Sequence, residues 1–454
     1  MIALPSAEQT SATSQGLTGD SQRRSILSIG TSFLLSAHKL RNRPHHDRDP
    51  QPTEQLMETL LNQPRLTEIA KRNGIDAFVA TSPENVTYAS GYWALSQWIR
   101  RGPQVHVLLP VKNLAASRVI APTSLLDQLV DQEDVWIPNV SRYGFFHVDK
   151  SDAPLGQADA RLLELFSQPD EKDAIAALVK ALRAEGLDRS TLAVDELGLM
   201  PGHWERLQQE LPNAKLVPAM KLFREIRAVK TPQEVERLRR IATITEESVE
   251  AGLKLARPGV TELEMARAFH AKTVDSDATP VLGCLGFGTR SAMPNVYPSE
   301  AKLKMGDVIR FDAGGRYRHY RADLARIAVL GEPSDKMKTY HKALHNGVIA
   351  AFEAIRPGVR ASQVYEAAMD ATRRSGIPHY SRSHVGHGIG LDGYDMPDLI
   401  PSNDQVIEEG MVMCVETPYY EFGWCGLQVE NTVVVRKDGV ELLHREDGQL
   451  KVLA

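Results

Sequence analysis

Four acids and one histidine carry the chemistry that this sequence offers. Asp312 and Asp323 lie eleven residues apart on two β-rich runs, Val308 to Asp312 and Ala322 to Val329, joined through Gly314-Gly315-Arg316-Tyr317-Arg318. With a turn centred on Tyr317-Arg318 they face one another across an antiparallel pair. Opposed Cβ atoms there stand about 4.5–5.5 Å apart, and like charges destabilise. Glu416 and Glu430 sit seven residues either side of Gly423, on the runs Met411 to Pro418 and Gln428 to Val435, and make a second opposed pair. Between the hairpins stands Gly386-His387-Gly388-Ile389-Gly390, whose glycines let backbone come close and leave the imidazole clear. Four carboxylates and a neutral imidazole total −4, which two divalent cations neutralise. Bridging carboxylates suit cations about 3.5–4 Å apart that activate a shared hydroxide at neutral pH. Oxygen-rich ligation with one histidine and no thiolate favours manganese, cobalt or zinc. Cys414, two residues before Glu416 on the same strand face, reads as a small buried hydrophobe.

The elements that must position these residues repeat. Thr231-Pro232-Gln233-Glu234 combines an N-cap threonine, a proline at the first helical position and a capping-box glutamate, opening a helix to about Leu255. That helix stops at Arg257-Pro258-Gly259-Val260, and Thr261 to Glu264 caps another. The same phrase returns 99 residues later as Arg356-Pro357-Gly358-Val359, between helical patterns at Asn346 to Ile355 and Ser362 to Arg374. Two related halves packed about a pseudo-twofold axis follow from such a repeat. Upstream, residues 56 to 218 alternate between helix and strand. Gln63 to Asn73 is an amphipathic helix closed by Gly74, and Ile75 to Ala80 and Gln104 to Leu109 are strands, with Asn85 to Tyr92 a further candidate. Glu171 to Glu185 is helical, closed by Gly186, and Thr191 to Val194 returns to strand. This alternation predicts an α/β layer domain ending near Lys230. It holds no Walker loop and no Gly-x-Gly-x-x-Gly after a strand, so nucleotide binding has little support.

The bulk composition narrows the classes. At 454 residues, 42% hydrophobic and 24% charged, the chain is of ordinary globular make-up with room for more than one domain. Net charge is −5, from 53 basic and 58 acidic residues, which argues against nucleic acid or an anionic membrane as partner. Three scattered cysteines make no disulfide framework, and no apolar run reaches 18 residues. Residues 1–55, rich in Ser, Thr, Gln, His and Arg, read as a disordered leader without a secretory signal, and the expected compartment is the cytoplasm.

Residues from about 225 to 440 resemble the catalytic domain of the pita-bread metallopeptidases: prolidase, aminopeptidase P, methionine aminopeptidase and creatinase. The matching stretches are Gly306 to Gly314, Tyr320 to Leu324, Gly386 to Gly390, Gly410-Met411 leading to Glu416, and then Glu430. The preceding region is similar to the creatinase/prolidase amino-terminal domain, and Phe223 to Pro232 to that family's interdomain joint. The resemblance implies an α/β two-domain chain, with a creatinase-like domain at 56–230 and a pseudo-twofold α+β catalytic domain at 231–454. It implies that Asp312 binds one metal with both oxygens, that Asp323 and Glu430 bridge two, and that His387 and Glu416 complete the second. Glu416 would also shuttle a proton. A homodimer is the family expectation.

Some positions depart from that pattern. Prolyl-specific members carry histidines where this chain has Asn295, Ser383 and Tyr394. Asn295 can donate a hydrogen bond and Tyr394 can act as a weak acid, so both count as candidate catalytic residues, and His384 is a candidate to fill one gap. Trp93 and Trp98, in a loop with Arg100-Arg101, are candidate specificity residues because in relatives this region of a neighbouring subunit can close the pocket. The resemblance implies a dinuclear hydrolase of Xaa-Pro-like peptides in which a metal-bridging hydroxide attacks an amide carbonyl. The alternative is a non-peptide C–N hydrolase or lyase like creatinase, ectoine hydrolase or a sulfoniopropionate lyase. A non-enzymatic scaffold fits worst, since all five ligand positions are filled.

Overall fold

The computed structural model describes residues 59–99 and 103–454, so the expected leader and Arg100-Arg101 lie outside the described residues. Helix ends follow the chain's own punctuation. In the helix Gln63–Asn73 the Asn62 side chain accepts from the Arg65 N–H at 3.2 Å, and Gly74 closes the other end at φ +63°. Asn85 to Tyr92, a candidate strand from its Val-Thr-Tyr run, is instead the helix Pro83–Ser90. Pro83 supplies a pre-set first turn and Gly91, at φ +78°, the stop. Every residue from Asn85 to Ser90 is buried, so no exposed face was left to distinguish the two periods.

The described residues build two main sheets. The first holds β1 (Ala77–Ala80), β2 (His106–Pro110), β3 (Arg118–Pro122), β4 (Asn139–Tyr143), β5 (Thr191–Val194) and β6 (Lys215–Pro218), in the order β4-β3-β2-β1-β5-β6. The β1–β5 and β5–β6 pairs are parallel, and the helix Ala174–Ala184 buries Ile175, Leu178 and Leu182 against this sheet. The second sheet carries β7 (Thr279–Phe287), β8 (Val308–Tyr317), β9 (Tyr320–Arg321), β10 (Leu324–Leu330), β11 (Gly386–Gly388), β12 (Asp395–Asp398) and β13 (Val412–Glu416). After the short β14 (Tyr419–Tyr420) and β15 (Gly426–Leu427) come β16 (Glu430–Arg436), β17 (Gly439–Leu442) and β18 (Lys451–Leu453). Its main path runs β12-β11-β13-β16-β10-β8-β7.

The repeated phrase does the same work twice. Gly259 and Gly358 take φ +91° and +93°, conformations that only glycine adopts cheaply. Gly259 N–H bonds Leu303 O at 2.8 Å and Leu303 N–H returns to Val260 O; Gly358 N–H bonds Ile407 O at 2.9 Å and Ile407 N–H returns to Val359 O. Each half then crosses a left-handed glycine, Gly306 or Gly410, whose N–H ties into the sheet at Leu330 O or Val435 O. Matching bonds at matching places make the halves structural repeats.

Helices cover one face of the second sheet. Pro232–Leu253 and Glu262–Asp275 bury Val249, Met265 and Phe269 against Ile309, Phe311 and Leu324; Asp335–Ala354 and Ala361–Arg374 bury Leu344, Val348 and Met369 against Met413, Val415 and Val433. Strand alternation therefore sends Arg310, Asp312, Cys414 and Glu416 to the opposite face. No described helix is long and apolar enough to cross a membrane.

Candidate metal centre

Two rows of side chains cross that opposite face. In one, Cys284 of β7 pairs with Asp312 of β8, Asp312 with Ala325 of β10, Ala325 with Glu430 of β16, and Glu430 with Glu416 of β13. In the other, Thr432 pairs with Cys414, Cys414 with His387 of β11, and His387 with Asp398 of β12. Glu416 and Glu430 are thus directly opposed, as their symmetry about Gly423 predicts. Asp312 and Asp323 are not. The β8–β9 turn lies at Arg318-His319, at φ +42° and +75°, rather than at Tyr317-Arg318, and pairs Tyr317 with Tyr320. The shift of two residues keeps both aspartates on one face, but diagonally.

The convergence survives that correction. Carboxylate oxygens of Asp312, Asp323 and Glu430 lie within 4.8 Å of one another, and so do ligand atoms of His387, Cys414 and Glu430. Glu430 belongs to both groups. Glu416, opposite it, accepts from His384 Nε2 at 2.8 Å, and His384 Nδ1 takes the Ser383 hydroxyl at 3.0 Å. His387 Nδ1 donates to Gly388 O at 3.0 Å; a carbonyl only accepts, so in the neutral ring Nε2 keeps its lone pair.

The electrostatics are those of acids short of cations. Burial raises the Asp312 carboxyl to about 6, even though Arg310 opposes the rise. Burial, and then the charge of neighbouring acids (Asp312 and Glu416 for Asp323, Asp323 and Glu416 for Glu430), push both well above the usual carboxylate range. Glu416 differs: burial is the largest influence and works upward, but the His384 hydrogen bond and the charges of His384, Arg382 and His387 together outweigh it and hold the group low. Burial lowers the His387 imidazole, keeping it neutral. Asp323 Oδ1 is buried with no hydrogen-bond partner among the described residues. An orphaned anionic oxygen among crowded acids, beside a neutral imidazole, is a donor set that fits hard or borderline divalent cations.

Arg310 was missed by the sequence reading. It is fully buried and donates to Asp312 Oδ2 at 3.2 Å, Gln428 Oε1 at 2.9 Å and the carbonyls of Ser291, Met293 and Pro294. Gln428 in turn donates to Glu430 Oε2 at 3.1 Å. One guanidinium therefore orients two of the acids. The signal was available: Arg310 and Gln428 each precede an acid by two residues, the spacing that shares a strand face.

The remaining candidates are distributed. The Tyr394 ring stacks on His387 with centroids 4.0 Å apart, and stays 59% exposed. Asn295 is exposed, and its side chain makes no hydrogen bond to a described residue. Trp93 and Trp98 flank His319 at the tip of the β8–β9 turn, at 5.4 and 6.2 Å, with Trp98 in the short helix Leu95–Trp98 rather than a loop. The Cys414 thiol is buried, 3.5 Å from Thr432 Oγ1, and burial, then Glu430 and Asp323, push it well above its ordinary value.

Residues 236–437 match the model of metallopeptidase family M24, and residues 63–229 match the creatinase/prolidase N-terminal domain. The chain thus carries an M24 metallopeptidase domain at 236–437 behind a creatinase/prolidase N-terminal domain at 63–229. It is 28% identical over 296 residues to an Xaa-Pro dipeptidase of Lactobacillus helveticus, covering 64% of this chain and 80% of that one. It is 30% identical over 232 residues to an uncharacterized peptidase of Staphylococcus haemolyticus, covering 50% and 65%. The fold is shared with an Xaa-Pro dipeptidase from Bacillus anthracis (TM-score 0.71, 23% identity, 86% of this chain and 99% of that one) and an X-Pro aminopeptidase from Thermotoga maritima (TM-score 0.69, 24% identity, 85% and 99%). The chain is a metallohydrolase of the pita-bread fold.

Proposed function

We propose that this M24 enzyme hydrolyses the amide bond of small Xaa-Pro-type peptides, with two divalent cations held by Asp312, Asp323, His387, Glu416 and Glu430. The observation that carries the proposal is the meeting of Asp312, Asp323 and Glu430 oxygens within 4.8 Å, with Arg310 the one cation in salt-bridge contact with them among the described residues. Arg310 offsets one of the four carboxylate charges and leaves −3, so a single dication leaves −1 and a second brings the sum to +1. Such cations, when bound, supply Lewis-acid polarisation of a carbonyl and a water acidified to neutral pH. Manganese, cobalt and zinc suit the donor set.

The chain's own groups do the rest. Arg310, itself held by the carbonyls of Ser291, Met293 and Pro294, fixes the Asp312 carboxylate directly and the Glu430 carboxylate through Gln428 before any substrate arrives. Glu416 Oε1 and His384 Nε2, 2.8 Å apart, form a path by which a proton leaves the centre for the cavity that His384 and Tyr394 line. The 28%-identical Xaa-Pro dipeptidase supports a dipeptide substrate.

Asn295 and Tyr394, standing where prolyl-specific members carry histidines, favour a second reading, hydrolysis or elimination of a non-peptide C–N or C–S compound on the same centre. One screen separates the two. Manganese-loaded protein is offered Xaa-Pro dipeptides, other dipeptides, ectoine- and creatine-like compounds and sulfonium zwitterions. Prolyl turnover is expected; turnover elsewhere on the panel without it overturns the peptidase reading.

A further inference from the structure

The strand β12 carries two acids with opposite fates. Asp395 is fully buried and meets Arg227, Lys230 and Arg224 at 3.3, 3.4 and 3.8 Å. Asp398, three residues on and so on the other face, is half-buried, and its carboxylate has no hydrogen-bond or ion-pair partner among the described residues; its backbone oxygen accepts from Asn403 Nδ2 at 2.7 Å and from the Ile400 N–H at 3.1 Å. Its cross-strand partner is His387, so the two side chains leave the sheet together.

A cavity of about 230 Å³ opens there, walled by Ser383, His384, His387, Tyr394, Asp398 and Ile400. It falls below the roughly 300–1,000 Å³ of pockets that enclose a whole drug-sized ligand. Its size suits one side chain or one chain terminus of a larger molecule. A partly exposed carboxylate with no partner among the described residues is free to meet a cation brought from outside. The Tyr394 ring beside it adds an aromatic surface, and a carboxylate with an aromatic is a pairing that recognises organic cations.

We propose that this cavity is a subsite for a positively charged group of the substrate, an ammonium or guanidinium, held by Asp398. Asp398 is a specificity residue here, placed to hold the guest while the reacting bond lies over the centre. The proposal rests on the hydrolase reading for its purpose, but its test does not need turnover. A free amino terminus and a basic side chain share this chemistry, and three probes distinguish them.

Manganese-loaded full-length protein is titrated calorimetrically with L-lysinamide, L-norleucinamide and N-acetyl-L-norleucinamide, as wild type and as Asp398→Asn. Wild type is expected to prefer the charged probes, and the variant to lose affinity for them about tenfold, the size of one modest charge-assisted contact. Loss for lysinamide alone assigns the subsite to a basic side chain; loss for both amines assigns it to the amino terminus. Metal content by elemental analysis is expected to be equal in the two proteins, which separates a lost contact from a damaged centre. Equal affinities in wild type and variant, or no wild-type preference for charged over acetylated probe, overturn the subsite. If the probes respond as expected while the protein cleaves no dipeptide, it is the peptidase reading that fails.

Discussion

Two acidic sites in this molecule are built from similar parts to opposite ends. At Asp395, burial works to raise the carboxyl, but Arg227 and then Lys230 outweigh it and hold the group at about 2. Lys230 is itself fully buried, and its Nζ also donates to Arg227 O at 2.6 Å, so the cluster is closed and complete. Across the sheet, Arg310 is the one guanidinium in salt-bridge contact with the four carboxylates among the described residues, and Asp312, Asp323 and Glu430 are all raised. Where the chain needs permanent balance it provides its own cations. Where it leaves a deficit, the missing charge is the ligand's to bring.

The largest expected effect breaks the deficit site. His387→Ala or Asp323→Asn is expected to lose bound metal, read by elemental analysis, and with it roughly a thousandfold or more of turnover, the several kcal/mol that a bound cation contributes. Full activity in both variants would remove the metal centre from the chemistry. Asp395→Asn attacks the closed site and should do the reverse. It strands Arg227 and Lys230 without their counter-ion, at a cost of about 3–5 kcal/mol in denaturant unfolding, while the metal content of the folded protein is retained. Metal loss there with unchanged stability would mean the two sites are not independent.

Proton linkage separates them next. A carboxyl raised on folding adds stability that is complete below its unfolded value near 4 and is lost as pH rises, through about 6 for Asp312. A depressed one such as Asp395 adds stability above its unfolded value and loses it as pH falls through about 2. Chelated protein should therefore lose on the order of 1–3 kcal/mol between pH 4.5 and 7 from the centre, whereas metal-loaded protein should not, since cations and protons compete for the same oxygens. The gap between loaded and chelated melting temperatures is expected to widen as pH rises. A gap independent of pH would place the metal on groups that do not titrate there.

How much of this was written locally explains what could be read. The Glu416–Glu430 pairing depends on symmetry about one glycine, and the two Arg-Pro-Gly-Val stops depend on φ values near +90°, so both are visible in the residues themselves. The β8–β9 turn was misplaced because Arg318 and His319, neither of them a glycine, take positive φ, while the adjacent Gly314-Gly315 mimics a turn and sits inside β8. Gly314 is glycine for another reason: a Cβ there would meet Ala322 O at 2.0 Å. The cations at Asp395 come from residues 165 or more positions away, and no local pattern announces partners that distant. Trp93 and Trp98 likewise find His319 only once the first sheet is packed against the second.

The smallest test sharpens the boundary between the two kinds of site. Cys414 lies within 4.8 Å of His387 and Glu430, close enough to be taken for a sixth ligand. It also packs among Ile389, Val412 and Val434, and the surrounding acids disfavour the thiolate that a metal would require. As a hydrophobe it fills space, and Cys414→Ala should cost about 1 kcal/mol, the price of a methyl-sized void, with metal content unchanged. As a ligand it would behave like His387, and the same substitution would empty part of the centre. Elemental analysis of that one variant decides which side of the charge balance the sulfur is on, because a neutral thiol leaves the −3 deficit intact whereas a thiolate would deepen it.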